Sequence, residues 1–356
     1  MNSDDTFTNK PKLVFIGAVN HGNRALCGET AKNQALITHL SKLGCRIVMI
    51  DTFGWKRTPR VLLRVIYHLL VNRERTLIIS AATNSVYKLI KLIRIFPRKG
   101  IAYYFVVGGN FAQCMHNGRY SSEPYKLFTK IFVQGKQMVN SLQESGLTNV
   151  EYLPNFRSFP GSAGEVDYNG ILGAHRVIKL VFVSRIHESK GVFLLLNAME
   201  QANTKNYLLD RYTVEFWGPI DHTIEAHFRS RLESLPNAHY MGVLDTQSVH
   251  GYSTLSQYDA MIFPTHWVGE GFPGVVIDAF VAGLPILASK WNLNTEIIED
   301  GVLGILFEPK DETALVQALV RVINDPELLR AMSHRCKEES LKYHTDSVLG
   351  RINFYS

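Results

Sequence analysis

The sequence predicts an α/β protein built from two consecutive doubly wound domains. Strand-length apolar runs alternate with helix-length segments along all 356 residues, the pattern of parallel sheets covered by helices. The series runs twice, and the stretch between, Pro154-Asn155-Phe156 followed by Gly, Ser and Pro at 160–164, reads as a hinge. A chain of this length also suits two domains better than one.

The first series opens with an apolar run at 12–19, a buried strand. A Gly/Asn-rich loop (17–28) follows, then a helix over 31–43 closed by Gly44, then a strand over 46–51. Apolar runs at 77–80, 102–107 and 130–133 continue the sheet. Two helices between them, 56–75 and 86–99, have nearly all-basic polar faces. Arg57, Arg60, Arg64, His68, Asn72 and Arg75 form one stripe, opposite Leu62, Val65, Ile66, Leu69 and Leu70. Lys88, Lys91, Arg94 and Arg98 repeat it against Leu89, Ile90, Ile93 and Phe96. The apolar sides are expected to cover the sheet. The second series has strands at 178–183, 212–217, 238–241, 260–263, 285–288 and 304–307, with a helix at 192–199. Ligands of such sheets bind at the carboxyl ends of the strands, here facing a cleft between the domains.

Composition excludes several classes. Hydrophobic residues make up 46% and charged residues 20% of the chain, ordinary for a soluble globular protein. No apolar run has the length of a membrane span, and the N-terminus shows no basic region followed by an apolar core. Cys27, Cys45, Cys114 and Cys336 are scattered without a Cys-x-x-Cys pair, which fits a reducing cytoplasm. Residues 1–158 hold 22 Lys and Arg against 8 Asp and Glu, a net +14, whereas residues 159–356 hold 16 against 24, a net −8. The basic half points to an anionic surface. The inner face of a membrane, met through helices 56–75 and 86–99, is the expected partner. No nucleic-acid module accompanies the charge.

The most informative stretch runs from Glu270 to Pro285. It joins an acid to a Gly/Pro turn, a short apolar helix carrying Asp278, and a Gly283-Leu284-Pro285 stop. Pro273 suits a helix's first turn and Gly283 its end. Amides of Gly271, Phe272 and Gly274 at such a start favour an anion or sugar hydroxyls. A fully helical path from Glu270 to Asp278 would span at most roughly 12 Å, which suits two acids gripping the two sugar ends of a nucleotide sugar. A plain surface helix carrying an acid pair reads the same way.

Arg185 and Lys190, after the strand at 178–183, form a candidate diphosphate clamp, and a solvated loop with two cations is the plain alternative. The loop at 17–28 is neither a dinucleotide fingerprint nor a P-loop, since Glu29 stands where a phosphate-binding Lys belongs. Gly28, at the helix start that ends it, can approach a phosphate. The spacing Gly269-x-Gly271-x-x-Gly274 matches the dinucleotide fingerprint and is read as coincidence, with a nicotinamide enzyme as the alternative. His21, His116 and His266 lie in loops expected to face the cleft, with His116 best placed for donor or acceptor contact. No paired-histidine or Asp-x-Asp pattern marks a metal site, and Gly-x-Ser-x-Gly is absent.

Together these residues resemble the retaining glycosyltransferase family 4, the group 1 type enzymes of envelope polysaccharide biosynthesis. Their GT-B fold has two Rossmann-like doubly wound domains and an interdomain cleft. "FVSRIHESKG", "FWGPI", "YMGVL", "FPTHWVGEGFPGVVIDAFVAGLPILAS" and "EIIEDGVLGILFEP" stand in the family's order, and "CGETAKNQALITHLSKLG" is similar to its glycine-loop helix. The resemblance covers nearly the whole chain and is strongest over 178–308. It implies that Glu270 and the Gly271-Phe272-Pro273-Gly274 backbone contact the transferred sugar and phosphate, and that Arg185 and Lys190 hold the diphosphate. It implies further that Asp278 binds the ribose, and that backbone at Gly218 and near Val243 lines the donor site. The family usually has Glu where Asp278 stands, and the segment 265–269 is longer here. The resemblance also implies domains at 1–158 and 159–339, with a C-terminal helix 340–356 returning to the first.

The expected function is retaining, metal-independent transfer of a sugar from a UDP- or GDP-linked donor to a hydroxyl of a glycan or lipid-linked acceptor. The expected setting is capsule, O-antigen or exopolysaccharide synthesis at the cytoplasmic face of the membrane. The alternatives are a catalytically silent nucleotide- or glycan-binding module and a nucleic-acid-interacting protein that uses the basic half.

Overall fold

Runs of Val, Ile and Phe buried on both faces form two parallel sheets in a computed structural model that describes residues 12–23, 27–55, 60–95, 98–159, 177–204 and 208–354. The chain divides into one unit of Met1–Phe156 with Thr345–Ser356 and a second of Arg157–His344. In the first unit the order is β1 (Lys12–Gly17), α1 (Gly28–Lys42), β2 (Arg46–Asp51), α2 (Arg60–Val71), β3 (Thr76–Ala82) and α3 (Thr83–Ile95). Then come β4 (Ala102–Val107), α4 (Phe111–His116), β5 (Lys130–Val133), α5 (Lys136–Glu144) and β6 (Val150–Tyr152). The six strands run parallel in the order β2-β1-β3-β4-β5-β6.

Side chains alternate across this sheet as strand geometry requires. Val14 and Ile16 join the core with Leu69, Ile79, Ile90 and Phe111. Leu13 and Phe15 join the other with Leu36 and Leu40, closed by Val348, Leu349 and Phe354 from the chain's end. His39 Nδ1 and Asp346 Oδ1 lie 2.9 Å apart there.

The second unit runs β7 (Ile178–Val183), α6 (Val192–Asn203), β8 (Tyr212–Trp217), α7 (Glu225–Glu233), β9 (Ala238–Gly242) and α8 (Val249–Leu255). It continues with β10 (Ala260–Phe263), α9 (Gly274–Val281), β11 (Ile286–Ser289), α10 (Asn294–Ile297), β12 (Gly304–Phe307), α11 (Glu312–Asn324) and α12 (Pro326–Ser340). Its parallel order is β12-β11-β10-β7-β8-β9. Leu180 and Phe182 pack toward α6 and α11, while Val181 and Val183 pack toward α9. The order reverses between β7 and β10, the switch point where ligands bind in open sheets.

Several expectations change. β6 is an additional strand, three residues long and preceding Leu153 and Pro154. α2 ends at Val71 rather than 75 and α3 starts at Thr83 rather than 86, while 56–59 and 96–97, with Arg57 and Phe96, lie outside the described residues. Asn72 is buried and Arg98 half-buried, so neither stands on an exposed basic stripe. Asn72 Nδ2 meets His68 Nδ1, and Arg98 Nη2 donates to Asn72 O at 3.0 Å. Of the apolar face expected on α2, Val65 and Leu69 are buried but Leu62 and Leu70 are exposed. The chain's end is not one helix over 340–356. A 3₁₀ turn at Leu341–Tyr343 stays with the second unit, and α13 (Thr345–Leu349) belongs to the first. Arg157 also sits in the second unit, because its amide bonds Tyr343 O at 3.0 Å. The stretch expected as a hinge at 160–164 lies outside the described residues.

Candidate active site

Two loops leave neighbouring strands at the switch point, one from β7 through Lys190 and one from β10 through Glu270. The first turns at Glu188–Lys190 and ends on Gly191 at φ +78°. A Cβ at Gly191 would lie 2.2 Å from Pro264 O, so only glycine lets the loops approach this closely. His266 N donates to Ser189 O at 2.9 Å and stitches them together.

Lys190 Nζ meets Glu270 Oε2 at 2.5 Å, and both side chains are largely buried. Thr265 Oγ1 donates to the same carboxylate oxygen at 3.0 Å. The ammonium lies 4.4 Å from the ring centroid of Trp267, a cation–π distance. Asn292 Nδ2 donates to Glu270 O at 3.0 Å, which fixes the backbone beneath the acid. Burial, with Lys310 nearby, pushes the His266 imidazole down from its ordinary value. No group of three His, Cys, Asp or Glu side chains clusters as metal ligands among the described residues.

Arg185 is exposed in the β7 loop, in the same loop as Lys190. Its backbone is set by β8, since Ser184 N donates to Trp217 O at 3.1 Å and Ile186 N to Pro219 O at 3.0 Å. Gly218 has φ +144°, and a Cβ there would lie 1.8 Å from Ser184 O. Gly218 N donates to Gly242 O at 2.7 Å, bringing the exposed Val243 to the same sheet edge.

The helix of the acid pair starts later than expected. Pro273 is the N-cap, extended at φ −69° and ψ 123°, and α9 begins at Gly274. Gly271 and Phe272 therefore precede the helix, and the helix-start amides are those of Gly274 and its successors. Gly271, Phe272 and Pro273 are buried, with the Phe272 ring against Tyr343 at 5.2 Å.

Asp278, expected to grip a ribose, is turned inward and is 1% exposed. Arg157 Nε donates to its Oδ1 at 2.9 Å, Thr246 Oγ1 to its Oδ2 at 2.7 Å, and Tyr252 OH to Oδ1 at 3.3 Å. Burial and the adjacent carboxylate drive the Tyr252 phenol well above its ordinary range. The Arg157 guanidinium lies over Gly274, where a Cβ would meet Nη2 at 1.5 Å. Sequence reasoning missed Arg157, Thr246, Thr265 and Trp267. Arg157 lies 121 residues from Asp278, so no local spacing signals the pair.

The remaining expected residues are in the first unit. His116 is the exposed last residue of α4. Gly28 is the exposed first residue of α1, whose N-cap Cys27 receives the Thr30 Oγ1 hydrogen bond at 2.9 Å on its carbonyl. His21 N donates to Asp51 Oδ2 at 3.0 Å. Burial raises the Asp51 pKa, but amides from Val19, His21 and Phe53 outweigh it and leave the carboxyl below its usual range. Residues 24–26 of this loop lie outside the described residues.

Comparison with known proteins gives a family likeness for the second unit. Residues 172–339 match the family described as glycosyl transferases group 1. An uncharacterised protein in the cps region of Klebsiella pneumoniae is 26% identical over 142 residues, covering 40% of this chain and 36% of that protein. The UDP-Gal:alpha-D-GlcNAc-diphosphoundecaprenol alpha-1,3-galactosyltransferase of Escherichia coli is 33% identical over 85 residues, covering 24% and 21%. The matches thus span about a third or less of these relatives' own lengths. The crystal structure of Anabaena Alr3699/HepE in complex with UDP matches with a TM-score of 0.68 and 14% identity, over 96% of this chain and 98% of that one. At that identity the likeness is one of fold, GT-B. The family match falls on the unit that holds Lys190, Glu270 and Asp278, and over residues 172–339 the chain is similar to the group 1 glycosyltransferases.

Proposed function

We propose that the chain transfers a sugar from a nucleoside diphosphate sugar to a hydroxyl acceptor, with the donor held at the β7/β10 switch point. The observation that carries this is the Lys190–Glu270 pair at 2.5 Å, inside the region of the family match. In this reading the donor's diphosphate takes over Lys190 and recruits the exposed Arg185. Glu270, freed from its cation, accepts hydroxyls of the sugar. A cation about 4 Å from a phosphate charge contributes up to ~4 kcal/mol at an effective dielectric near 20. That contribution assists catalysis to the extent that it grows as the phosphate departs.

The anomeric configuration is retained. The departing phosphate, neutralised by Lys190 and Arg185 without a metal ion, takes the acceptor's proton on the face it leaves. Asp278 reaches a ribose only by giving up Thr246 or Arg157, so it shapes the site from beneath α9. The acceptor is a lipid-linked or growing envelope glycan, a reading supported by the cps-region relative and by the diphosphoundecaprenol in the name of the other. Basic residues of α2 and α3 face the anionic inner surface of the membrane, although no helix among the described residues is long and apolar enough to cross one.

Incubating the protein with a panel of UDP- and GDP-sugars and lipid-linked acceptors, followed by mass spectrometry and NMR of the products, tests the reading. An α-linked product from an α-linked donor is expected. An inverted linkage would contradict the mechanism.

A further inference from the structure

The first unit contains an apolar cavity of about 340 Å³ that the donor site does not use, within the roughly 300–1,000 Å³ of small-molecule sites. Ile16 of β1 with Ile79 and Ala81 of β3 form its floor, and Val65 of α2 with Val86 and Leu89 of α3 form its walls. Protein interiors are close-packed, and a void of this size lined by aliphatic groups leaves dispersion contacts unmade unless something fills it. The helix beside it also departs from the ordinary surface pattern. Leu63 and Tyr67 of α2 are 66% and 58% exposed, and Leu62 and Leu70 stand out with them. An exposed apolar patch beside an apolar cavity marks a ligand or interaction surface.

Charge narrows the occupant. Every charged residue on α2 and α3 is a cation: Arg60 and Arg64 on one helix, Lys88, Lys91 and Arg94 on the other. Lys88 lines the cavity itself and is exposed. An aliphatic hole with a cationic rim complements a hydrocarbon chain that ends in phosphate. A flat bilayer surface would meet the exposed leucines but leave the hole empty, and so would a protein surface.

We propose that this cavity takes the hydrocarbon tail of a phosphate-headed lipid, with Lys88 meeting the phosphate. Resting on the transfer reading above, in which a glycan hydroxyl is the acceptor, it assigns that glycan's lipid anchor to this class and gives its tail a seat in the first unit.

The test is isothermal titration of the full chain with dodecyl phosphate below its micelle concentration, without nucleotide sugar. One molecule per chain is expected, and Trp55, which lines the cavity, should change its fluorescence on binding. Each methylene removed, down to octyl phosphate, should weaken binding about fourfold. Leu89→Trp fills the cavity and should weaken binding at least tenfold, with Ser85→Phe as a second filling variant and circular dichroism verifying both folds. Lys88→Glu should weaken dodecyl phosphate but not dodecanol. Unchanged affinity in folded, filled variants would overturn the proposal. So would several molecules per chain, or binding to phosphatidylglycerol vesicles but not to dodecyl phosphate. Because no donor is present, a negative result leaves the donor site standing, and absent donor turnover leaves a positive result standing.

Discussion

The Lys190 ammonium and the Glu270 carboxylate meet at 2.5 Å across the ends of β7 and β10, strands that neighbour one another in the second sheet. The two charges assigned to opposite ends of a donor's sugar-phosphate thus neutralise each other in the structure. Each is held ready by the other, and Thr265 keeps one carboxylate oxygen in place.

Glu270→Gln keeps the shape of the side chain and its Thr265 contact but removes the charge. Steady-state kinetics should show kcat/KM lowered by about 10²–10³, the scale of losing one charge-stabilising contact, with an unchanged circular dichroism spectrum. A variant within threefold of the parent would remove Glu270 from the reaction.

Asp278→Asn takes the Asp278 charge away from the buried Arg157 guanidinium. Breaking one partner of a buried pair costs about 3–5 kcal/mol, whereas replacing both with apolar groups is often close to neutral. Urea denaturation should therefore show Asp278→Asn far less stable than the double variant Arg157→Met/Asp278→Leu. Additive losses would show that the two side chains are not coupled.

Gly274→Ala should act through the same pair, because the new Cβ falls 1.5 Å from Arg157 Nη2. Its destabilisation should shrink in an Arg157→Ala background, which removes the obstructing group. Equal losses in both backgrounds would place the strain elsewhere. Gly218→Ala has no such remedy, since the obstacle is the Ser184 carbonyl at 1.8 Å. It should lower both stability and turnover by displacing Arg185.

Lys32 is buried in the first unit, where its Nζ donates to Val106 O at 3.1 Å. Burial lowers its pKa to about 7, with Glu29 partly offsetting the shift. Between that value and the ordinary lysine range the unfolded chain binds the proton and the folded chain does not. Stability from this group therefore rises with pH above about 7, by at most about 1.4 kcal/mol per pH unit. Lys32→Met should stabilise most near neutrality, with its advantage shrinking toward pH 10. Denaturation midpoints of both proteins from pH 6 to 9.5 check the sign, and a constant difference would contradict it.

Strands β7, β8 and β10 are legible in the sequence to the residue, β7 and β10 as nearly continuous apolar runs of a doubly covered parallel sheet and β8 as an alternation of buried and half-buried positions. The position of Lys190 and Glu270 is legible because each follows a strand at the end where ligands bind in open sheets. The start of α9 is not, since Pro273 suits an N-cap as well as a first turn and only its extended ψ decides. The burial of Asp278 escapes sequence reading for another reason. Its environment comes from Arg157, Thr246 and Tyr252, whose approach is made by the tertiary fold. The exposure of Leu62 and Leu70 is hidden likewise, because amphipathic spacing on α2 shows an apolar face but not what lies opposite it.

The central claim is that Lys190 and Glu270 form the donor end of a sugar-transfer site. Its most direct test is release of nucleoside diphosphate from a UDP- and GDP-sugar panel by the parent protein and by Lys190→Ala. The account predicts turnover of at least one donor by the parent and a loss of at least 100-fold in the variant, with fold retained. No turnover of any donor, or equal turnover by both proteins, would contradict it.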